Sequence, residues 1–465
     1  MNTQPKPADF ALALYETAQE THQRKDWRQA CHALASALKG ELLRTTATAA
    51  RVPMPADAPK APASPKRAAP KPVAASGYVM TAESLTAALR LLCRAVHPQC
   101  SIPILSQVLM QAKGGTLKLS ATDLNVEIVA SVEARGIGDW LATCDARALL
   151  ALLSKGKGEV TMLGELTTDY VVTVEGGKKE TRRDSKVTIT GAVNATLKGC
   201  DPGEFPVTKA QTDLLPLKIA HADLVAGLTF VAPAISSEEN RYYLNGAYIT
   251  RRIENGLRPI EIIATDGSRL NLIQAEPIDD GGGAFAKAGA IVPHATVGHI
   301  LALLKAAPLD AIAFSPTHCQ IVAGPVVITS RLVDGHFPDY WRVIPKADQG
   351  HVLAFDSAEM LAALAKVSAI SKERSKSVRL NLTADLATLT VRNYDGAESS
   401  ATVPCGWSGA NMEVSFNADF LAQSIKALGC ETLKMAMGGP NDPARIQDYD
   451  PRALERLCVA MPLRN

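Results

Sequence analysis

The sequence predicts an α+β protein built from three copies of one unit, with helices packed on one face of antiparallel sheets. A helical pattern recurs three times, at Leu85, Leu224 and Met360, which lie about 140 residues apart. Strand patterns with alternating apolar and polar residues follow each of these helices. Each copy then repeats a helix and a strand, so that it contains two similar halves.

The first segment of the chain is distinct from the repeats. Apolar residues between positions 8 and 50 recur at helical spacing, and the charged stretch Arg24–Asp26 divides them into two predicted helices. Residues 53–76 contain seven prolines among alanines and lysines, a composition typical of an extended linker. We therefore expect a helical extension over 1–52 and a linker over 53–76.

Three repeated units follow the linker, and we expect them to span 77–209, 210–346 and 347–465. Each unit opens with a helix and continues with a strand pair that turns at an aspartate, namely Asp123, Asp266 or Asp395. A second helix and strand follow over 146–162, 297–314 and 419–435. The alternation of apolar and polar residues along the strands predicts antiparallel sheets with one solvated face.

Composition argues against several classes of protein. Hydrophobic residues make up 47% and charged residues 21%, as in ordinary globular chains, and no apolar stretch is long enough to span a membrane. The N-terminus lacks the pattern of a signal peptide, and nine scattered cysteines form no Cys-x-x-Cys pair. We expect a reduced, cytoplasmic protein without structural zinc or cofactor. A net charge of +2 argues against a surface that coats nucleic acid everywhere but allows a local basic face.

Catalysis is not expected. A nuclease or polymerase needs clustered carboxylates that hold a divalent metal, yet Asp123, Asp266 and Asp395 occupy equivalent turns in separate copies. Turn capping explains them better. The glycines at 176–177 and 281–283 lack phosphate-loop spacing, and no nucleophile elbow is present. These residues predict a non-enzymatic protein with no metal site.

The last seven residues, Val459–Asn465, are mostly apolar and contain Pro462. Chain ends are usually polar and frayed, so an apolar end predicts a segment that forms or enters a groove. The alternative is a last strand that completes a core. The sequence of the tail leaves both interpretations open.

Four strings, read together with the triplication, carry a family resemblance. Over 78–465 the chain resembles the bacterial DNA polymerase III beta subunit, the sliding clamp family. The strings are Ser101–Leu105, Asn240–Gly246, Ala264–Leu270 with Phe337–Tyr340 and Arg342-Val343, and Met461–Arg464.

The resemblance implies a ring of two copies, closed head to tail around duplex DNA, with helices lining the hole. It implies a processivity factor that tethers the replicative DNA polymerase, and partners that include clamp-loader subunits bound through short linear motifs. A monomeric clamp-like adaptor in DNA repair is the alternative. The mass in solution separates the two.

The resemblance also implies three sets of residues. The partner-peptide cleft comprises Leu244, Thr265, Gly267, Ser268, Arg269, Leu270, Pro338, Arg342, Val343, Asn417, Phe420, Val459, Ala460, Met461, Pro462, Leu463 and Arg464. The DNA contacts comprise Tyr242, Tyr243, Arg90, Arg94, Arg147, Lys305 and Lys372, among basic residues concentrated on the predicted helices. The dimer interface is expected on end strands near Val187 and Ile189, and near Ile370.

Overall fold

The structure is a computed structural model that describes residues 77–96, 101–167, 170–173, 179–251, 259–278, 289–346, 349–371, 376–450 and 455–463. These residues belong to a single compact unit within Val73–Asn465. The predicted extension at 1–52 and linker at 53–76 lie outside the described residues. So do two predicted site residues, Lys372 and Arg464.

The first repeat has the two predicted helices, α1 (Ala82–Leu92) and α2 (Ala146–Leu153). Its strands are β1 (Tyr78–Thr81), β2 (Gln107–Lys113), β3 (Thr116–Thr122), β4 (Val126–Glu133), β5 (Arg135–Gly136), β6 (Trp140–Asp145), β7 (Glu159–Leu166), β8 (Tyr170–Thr173), β9 (Lys179–Arg182), β10 (Ser185–Gly191) and β11 (Ala195–Gly199).

The second repeat follows the same order, with α3 (His221–Val231) and α4 (His294–Ala306). Its strands are β12 (Leu215–Pro216), β13 (Gly246–Arg251), β14 (Ile260–Thr265), β15 (Arg269–Ala275), β16 (Ala290–Pro293), β17 (Ala311–Phe314), β18 (His318–Ala323) and β19 (Val326–Arg331). Short 3-10 helices lie at Glu239–Leu244 and Tyr340–Val343.

The third repeat contains α5 (Ser357–Ser368) and α6 (Ala418–Leu428). Its strands are β20 (His351–Asp356), β21 (Ser377–Leu382), β22 (Leu386–Arg392), β23 (Glu398–Trp407), β24 (Met412–Asn417), β25 (Thr432–Met437), β26 (Ala444–Asp448) and β27 (Arg456–Ala460). The predicted pair of helices in each repeat is confirmed.

Four helices begin directly where a strand ends, because the last strand residue caps the helix. Side-chain oxygens of Thr81, Asp145, Asp356 and Asn417 each accept a hydrogen bond from the backbone N–H three residues later. Such a cap satisfies a backbone donor at the helix start and contributes about 1 kcal/mol. The strand therefore fixes where each of these helices starts.

Each repeat packs its two helices against each other and against its sheets. Leu85, Leu89 and Leu149 are fully buried in this contact in the first repeat. Along β3, Leu117 and Leu119 are buried while Lys118 between them is exposed. The predicted α+β architecture with one solvated sheet face is confirmed. No helix within the described ranges combines the length and apolar character that a membrane crossing would need.

The repeats are joined by strand pairing. At the first joint, β4 pairs antiparallel with β19, from Val126 opposite Ser330 to Ala130 opposite Val326. At the second joint, β15 pairs antiparallel with β27, from Arg269 opposite Ala460 to Ile273 opposite Arg456. Each joint therefore combines the fourth strand of one repeat with the last strand of the next.

The placement of the predicted dimer residues needs correction. Strand β10, which carries Val187 and Ile189, lies between β7 and β11 and is not an end strand. Both side chains are buried in the core, at 0% and 1% exposure, so they cannot face a second copy. Ile370 lies just beyond α5, partly buried, and its carbonyl accepts a hydrogen bond from Asn393.

Candidate functional site

The turn between β14 and β15 forms one side of the predicted cleft. The Asp266 carboxylate accepts hydrogen bonds from the backbone N–H groups of Ser268 and Arg269, at 2.9 and 3.0 Å. The Thr265 hydroxyl accepts from the Gly267 N–H at 3.1 Å. Gly267 has a φ of +87°, which only glycine adopts without strain. Asp266 is thus a turn cap, as its spacing predicts.

The C-terminal tail lies directly beside this turn and contacts both the second and the third repeat. After β27, the Met461 N–H donates to the Ser268 carbonyl at 2.9 Å, and the Leu463 N–H donates to the Ser415 carbonyl at 2.8 Å. Val459 is buried, whereas Met461 keeps 37% of its surface exposed. The tail therefore completes a sheet, as the alternative interpretation predicts, and the groove stays a prediction.

The predicted cleft residues divide into a buried floor and an exposed rim. The floor consists of Leu244, Thr265, Arg269, Leu270, Val459 and Ala460. The rim consists of Gly267, Ser268, Pro338, Arg342, Val343 and Met461, all exposed. Asn417, Phe420, Pro462 and Leu463 are half-buried between them. Floor and rim together form an apolar surface bordered by a few polar groups.

Arg269 is part of the scaffold of the cleft. The family resemblance implies that it is a cleft residue, but its side chain is 8% exposed. Its guanidinium donates to Asp266 at 3.0 Å, to Gln423 at 2.6 Å and to the Pro233 carbonyl, and it lies 4.2 Å from the Phe420 ring centre. A guanidinium engaged in this way has no free face for a ligand.

Arg342 is another arginine of the predicted cleft, and it lies on the rim. Its side chain is 84% exposed and forms an ion pair with Asp339 at 2.9 Å. Val343 beside it is 44% exposed. Both residues belong to the short helix Tyr340–Val343, which connects the second repeat to the third.

A buried hydrogen bond holds this short helix in place. The Tyr340 hydroxyl donates to the Glu261 carboxylate at 2.5 Å, and the Gln274 amide donates to the same carboxylate at 3.1 Å. Burial and the neighbouring carboxylate raise the pKa of Tyr340, so the phenol stays protonated and remains a donor. The sequence analysis missed this pair, although a glutamate within the apolar run Ile260–Thr265 is the signal that could have revealed it.

Four of the predicted DNA contacts, all of them arginines or lysines within the described residues, lie on helices or just after them. Arg90 and Lys305 are exposed in the last turns of α1 and α4. The Arg94 guanidinium donates to the Gly298 carbonyl at 3.1 Å across the first joint, and the Arg147 guanidinium donates to the Val96 carbonyl at 2.9 Å. These exposed cations also bind the helices to one another.

The tyrosine pair lies beside the cleft rather than on a helix pair. Tyr242 and Tyr243 belong to the 3-10 helix Glu239–Leu244, and their rings pack edge to face at 5.9 Å. Tyr242 is 54% exposed. Arg241 in the same helix, which the sequence analysis did not single out, packs over Gly267 and pairs with Glu238 at 2.7 Å.

The three turn aspartates do not converge. The carboxylates of Asp123, Asp266 and Asp395 each accept backbone N–H groups of their own turn. Among the described residues no group of three metal-binding side chains comes together.

Family models cover the three repeats in order. The N-terminal, central and C-terminal domains of the DNA polymerase III beta subunit match residues 78–208, 218–339 and 341–464. The beta sliding clamp of Caulobacter vibrioides is 30% identical over 373 residues, which cover 79% of this chain and 94% of that protein. The Escherichia coli beta sliding clamp is 27% identical over 367 residues, covering 78% and 93%.

Solved structures of the same kind superpose on the chain. The DnaN sliding clamp from Bartonella birtlesii bound to griselimycin has a TM-score of 0.74 and 27% identity, covering 84% of this chain and all of that one. The sliding clamp from Caulobacter crescentus has a TM-score of 0.72 and 28% identity over the same shares. The chain therefore belongs to the DNA polymerase III beta subunit family and is a DNA sliding clamp, the non-catalytic processivity subunit of that polymerase.

Proposed function

We propose that two copies of this chain close head to tail into a ring around duplex DNA and hold polymerase and clamp-loader partners through the cleft. The observation that carries the ring is a pair of strand edges at the two ends of the repeat array. On one side of β11 lies β10, and the described residues supply no strand on its other side. Strand β23 pairs with β22 from Glu398 to Pro404 but with β20 only over Cys405–Trp407.

These two edges correspond to the strands that form the internal joints. In its repeat, β23 follows the turn at Asp395, as β4 follows Asp123 and β15 follows Asp266. Strand β11 is the last strand of its repeat, as are β19 and β27. Pairing β23 of one copy with β11 of another would repeat the joint at both ends of the dimer, which closes it by two-fold symmetry.

The spacing of the first joint predicts the register of this seam. There Val126, three residues after Asp123, lies opposite Ser330, seven residues before Phe337. The same spacings place Glu398, three residues after Asp395, opposite Lys198, seven residues before Phe205.

Burial supports this register. Glu398 and Lys198 are both exposed, so opposite charges would face each other on the wet side. The next pair, Ser399 and Leu197, is half-buried on both strands. A slip of one residue would oppose exposed to half-buried positions along the whole seam. Leu197 replaces Val187 and Ile189 as the proposed apolar contact of the first repeat, and Ile370 remains a neighbour at the other edge.

Light scattering tests the ring. The wild-type chain should have twice the mass of one chain, and Lys198→Glu should dissociate it because two glutamates would then face each other. The double variant Lys198→Glu/Glu398→Lys should restore the dimer. A wild-type monomer would favour the adaptor in DNA repair, and an unchanged dimer in Lys198→Glu would remove this register.

The DNA contact is proposed to be diffuse. The predicted cations Arg90, Arg94, Arg147, Lys305 and Lys372 would face phosphates without reading bases. Tyr242 and Tyr243 are retained as contacts near the cleft. Binding to short linear duplex should be weak and fall steeply with salt, whereas clamp loaded onto circular DNA should be retained until the DNA is cut. Sequence-specific binding to a linear duplex would contradict the proposal.

The cleft is proposed to take short apolar peptide motifs. Its buried floor and exposed Met461 and Val343 provide an apolar groove, and the flexible methionine suits several partners. Arg342 would meet the polar end of the peptide. We keep the repeat boundaries at 77–209, 210–346 and 347–465, and the cytoplasm as the site of action.

A further inference from the structure

We propose that the first joint holds a second peptide site, which takes acidic linear segments that carry apolar side chains. The site is a cavity of about 720 Å³, here called the notch. It lies between the turn Asp123–Asn125, the segment Pro206–Lys209, and His318 and Arg331. This inference goes beyond the cleft at the second joint, whose apolar ligands are a separate proposal.

The notch has the same backbone frame as the cleft. The Leu124 N–H donates to the Thr122 hydroxyl at 3.0 Å, as the Gly267 N–H donates to Thr265 in the cleft. The Arg331 N–H donates to the Asn125 carbonyl at 2.8 Å. This bond corresponds to the one from the Met461 N–H to Ser268.

The linking segments correspond as well. Phe205-Pro206 precedes the part of the chain that lines the notch, and Phe337-Pro338 occupies the same place beside the cleft. The two joints thus share one backbone arrangement, and they differ in the side chains that line it. A volume of about 720 Å³ is within the range of cavities that take small ligands.

Leu124 is the first unusual feature of the notch. Its φ is +77°, a left-handed conformation that is strained for a leucine, and its side chain is 51% exposed. Val207 across the notch is 64% exposed. A strained residue that displays an apolar side chain gains nothing from core packing, whereas a ligand that covers it would offset the strain.

The charged side chains around the notch indicate which kind of peptide it would bind. Arg331 and Lys209 are exposed, and within the described ranges neither forms an ion pair. Burial and Arg331 lower the pKa of His318, so this ring is neutral near pH 7 and the charge comes from the other two side chains. The Asp123 carboxylate faces its own turn, where it accepts the N–H groups of Asn125 and Val126. Two free cations beside two exposed aliphatic side chains complement a peptide that alternates acidic and apolar residues.

Fluorescence anisotropy tests the notch with a labelled octapeptide in which two leucines are flanked by glutamates and aspartates. The wild-type chain should bind it with a Kd on the order of 10–100 μM, more weakly at high salt. The same peptide with lysines in place of its acids should not bind. Arg331→Glu should weaken binding at least tenfold. Lys118→Glu, the same charge change on the exposed face of β3, should leave it unchanged.

Leu124→Gly separates a binding role from a structural one. Glycine accepts the left-handed turn, so the thermal midpoint should stay level or rise while peptide binding falls several-fold. Deleting Met461–Asn465 should leave this peptide bound while it removes motif peptides from the cleft. The inference is overturned if the wild-type chain shows no saturable binding at millimolar peptide, if Arg331→Glu binds equally well, or if the tail deletion abolishes binding.

Discussion

The two internal joints of the clamp share one backbone arrangement but present different side chains at the surface. In both, a turn after an aspartate leads into a strand that pairs with the last strand of the next repeat. At the second joint Arg269 fills the space behind the turn with internal contacts and leaves an apolar rim. At the first joint the corresponding residue is Val126, and the exposed groups are cations and Leu124. Strand pairing therefore determines the shared backbone arrangement, and a few side chains make the two surfaces different.

Removing the tail should cause the largest loss of peptide binding, and only at the second joint. Deletion of Met461–Asn465 removes the exposed Met461 and two backbone hydrogen bonds to Ser268 and Ser415. Binding of a labelled peptide with Gln, Leu and Phe should fall at least about 100-fold, or roughly 2.7 kcal/mol. The dimer mass should not change, because the proposed seam lies elsewhere. Equal binding by the shortened chain would mean that the tail only completes a sheet.

Tyr340→Phe should loosen the second joint alone. It leaves the buried Glu261 carboxylate with one donor fewer, which costs roughly 1–3 kcal/mol. The thermal midpoint should fall, and peptide affinity at the cleft should fall with it because Val343 belongs to the same short helix. Tyr394→Phe alters an 81% exposed ring and provides the matched control. An unaltered midpoint in Tyr340→Phe would contradict a structural role for this bond.

Substitution of the left-handed turn residue should have opposite effects on thermal stability at the two joints. Gly267→Ala introduces a side chain at φ +87° and places its Cβ 2.4 Å from the Arg241 guanidinium. We expect a loss of roughly 1 kcal/mol, since the mobile guanidinium can move aside but the backbone conformation remains unfavourable. Leu124→Gly should show no such loss. Equal losses of thermal stability in both variants would remove the contrast.

Acid should weaken the first joint slightly. Burial, and to a lesser extent Arg94, lower the pKa of His299, so the folded chain favours the neutral ring. This contribution is complete above the unfolded pKa of about 6.5 and is lost as the pH falls below it. The thermal midpoint should therefore drop by about 2 °C between about pH 7.5 and 5.5.

His299→Gln provides the comparison with the second joint, where Gln423 holds the corresponding position of α6. This variant should lose most of the pH dependence. His294→Gln, an exposed change in the same helix, should keep it. If the thermal midpoint depends on pH equally in the wild type and both variants, other groups cause the acid effect.

The repeats and helices could be predicted from the sequence because their patterns depend on local periodicity. Leu117, Lys118 and Leu119 show the expected alternation of buried and exposed residues. The packing of the tail could be predicted because apolar chain ends are unusual. These features need no knowledge of which strands meet.

Features that depend on long-range pairing could not be predicted. Val187 and Ile189 are apolar, as interface residues often are. Only the strand order shows that β11 pairs with the outer edge of their strand. Arg269 carries a charge that could bind a ligand. Its actual partners, Gln423 and Pro233, are distant in sequence and could not be identified from it. Side chains that a fold buries among remote partners resemble free ones until the pairing is known.

The linking segments have a mechanical consequence for the assembled clamp. At each internal joint the chain itself connects the two repeats, through Phe205–Pro216 and Phe337–His351, so the paired strands stay at a high effective concentration. The proposed seam between Lys198 and Glu398 has no such tether. If the ring forms as proposed, this untethered joint would be the one that responds to dilution, and DNA would enter there.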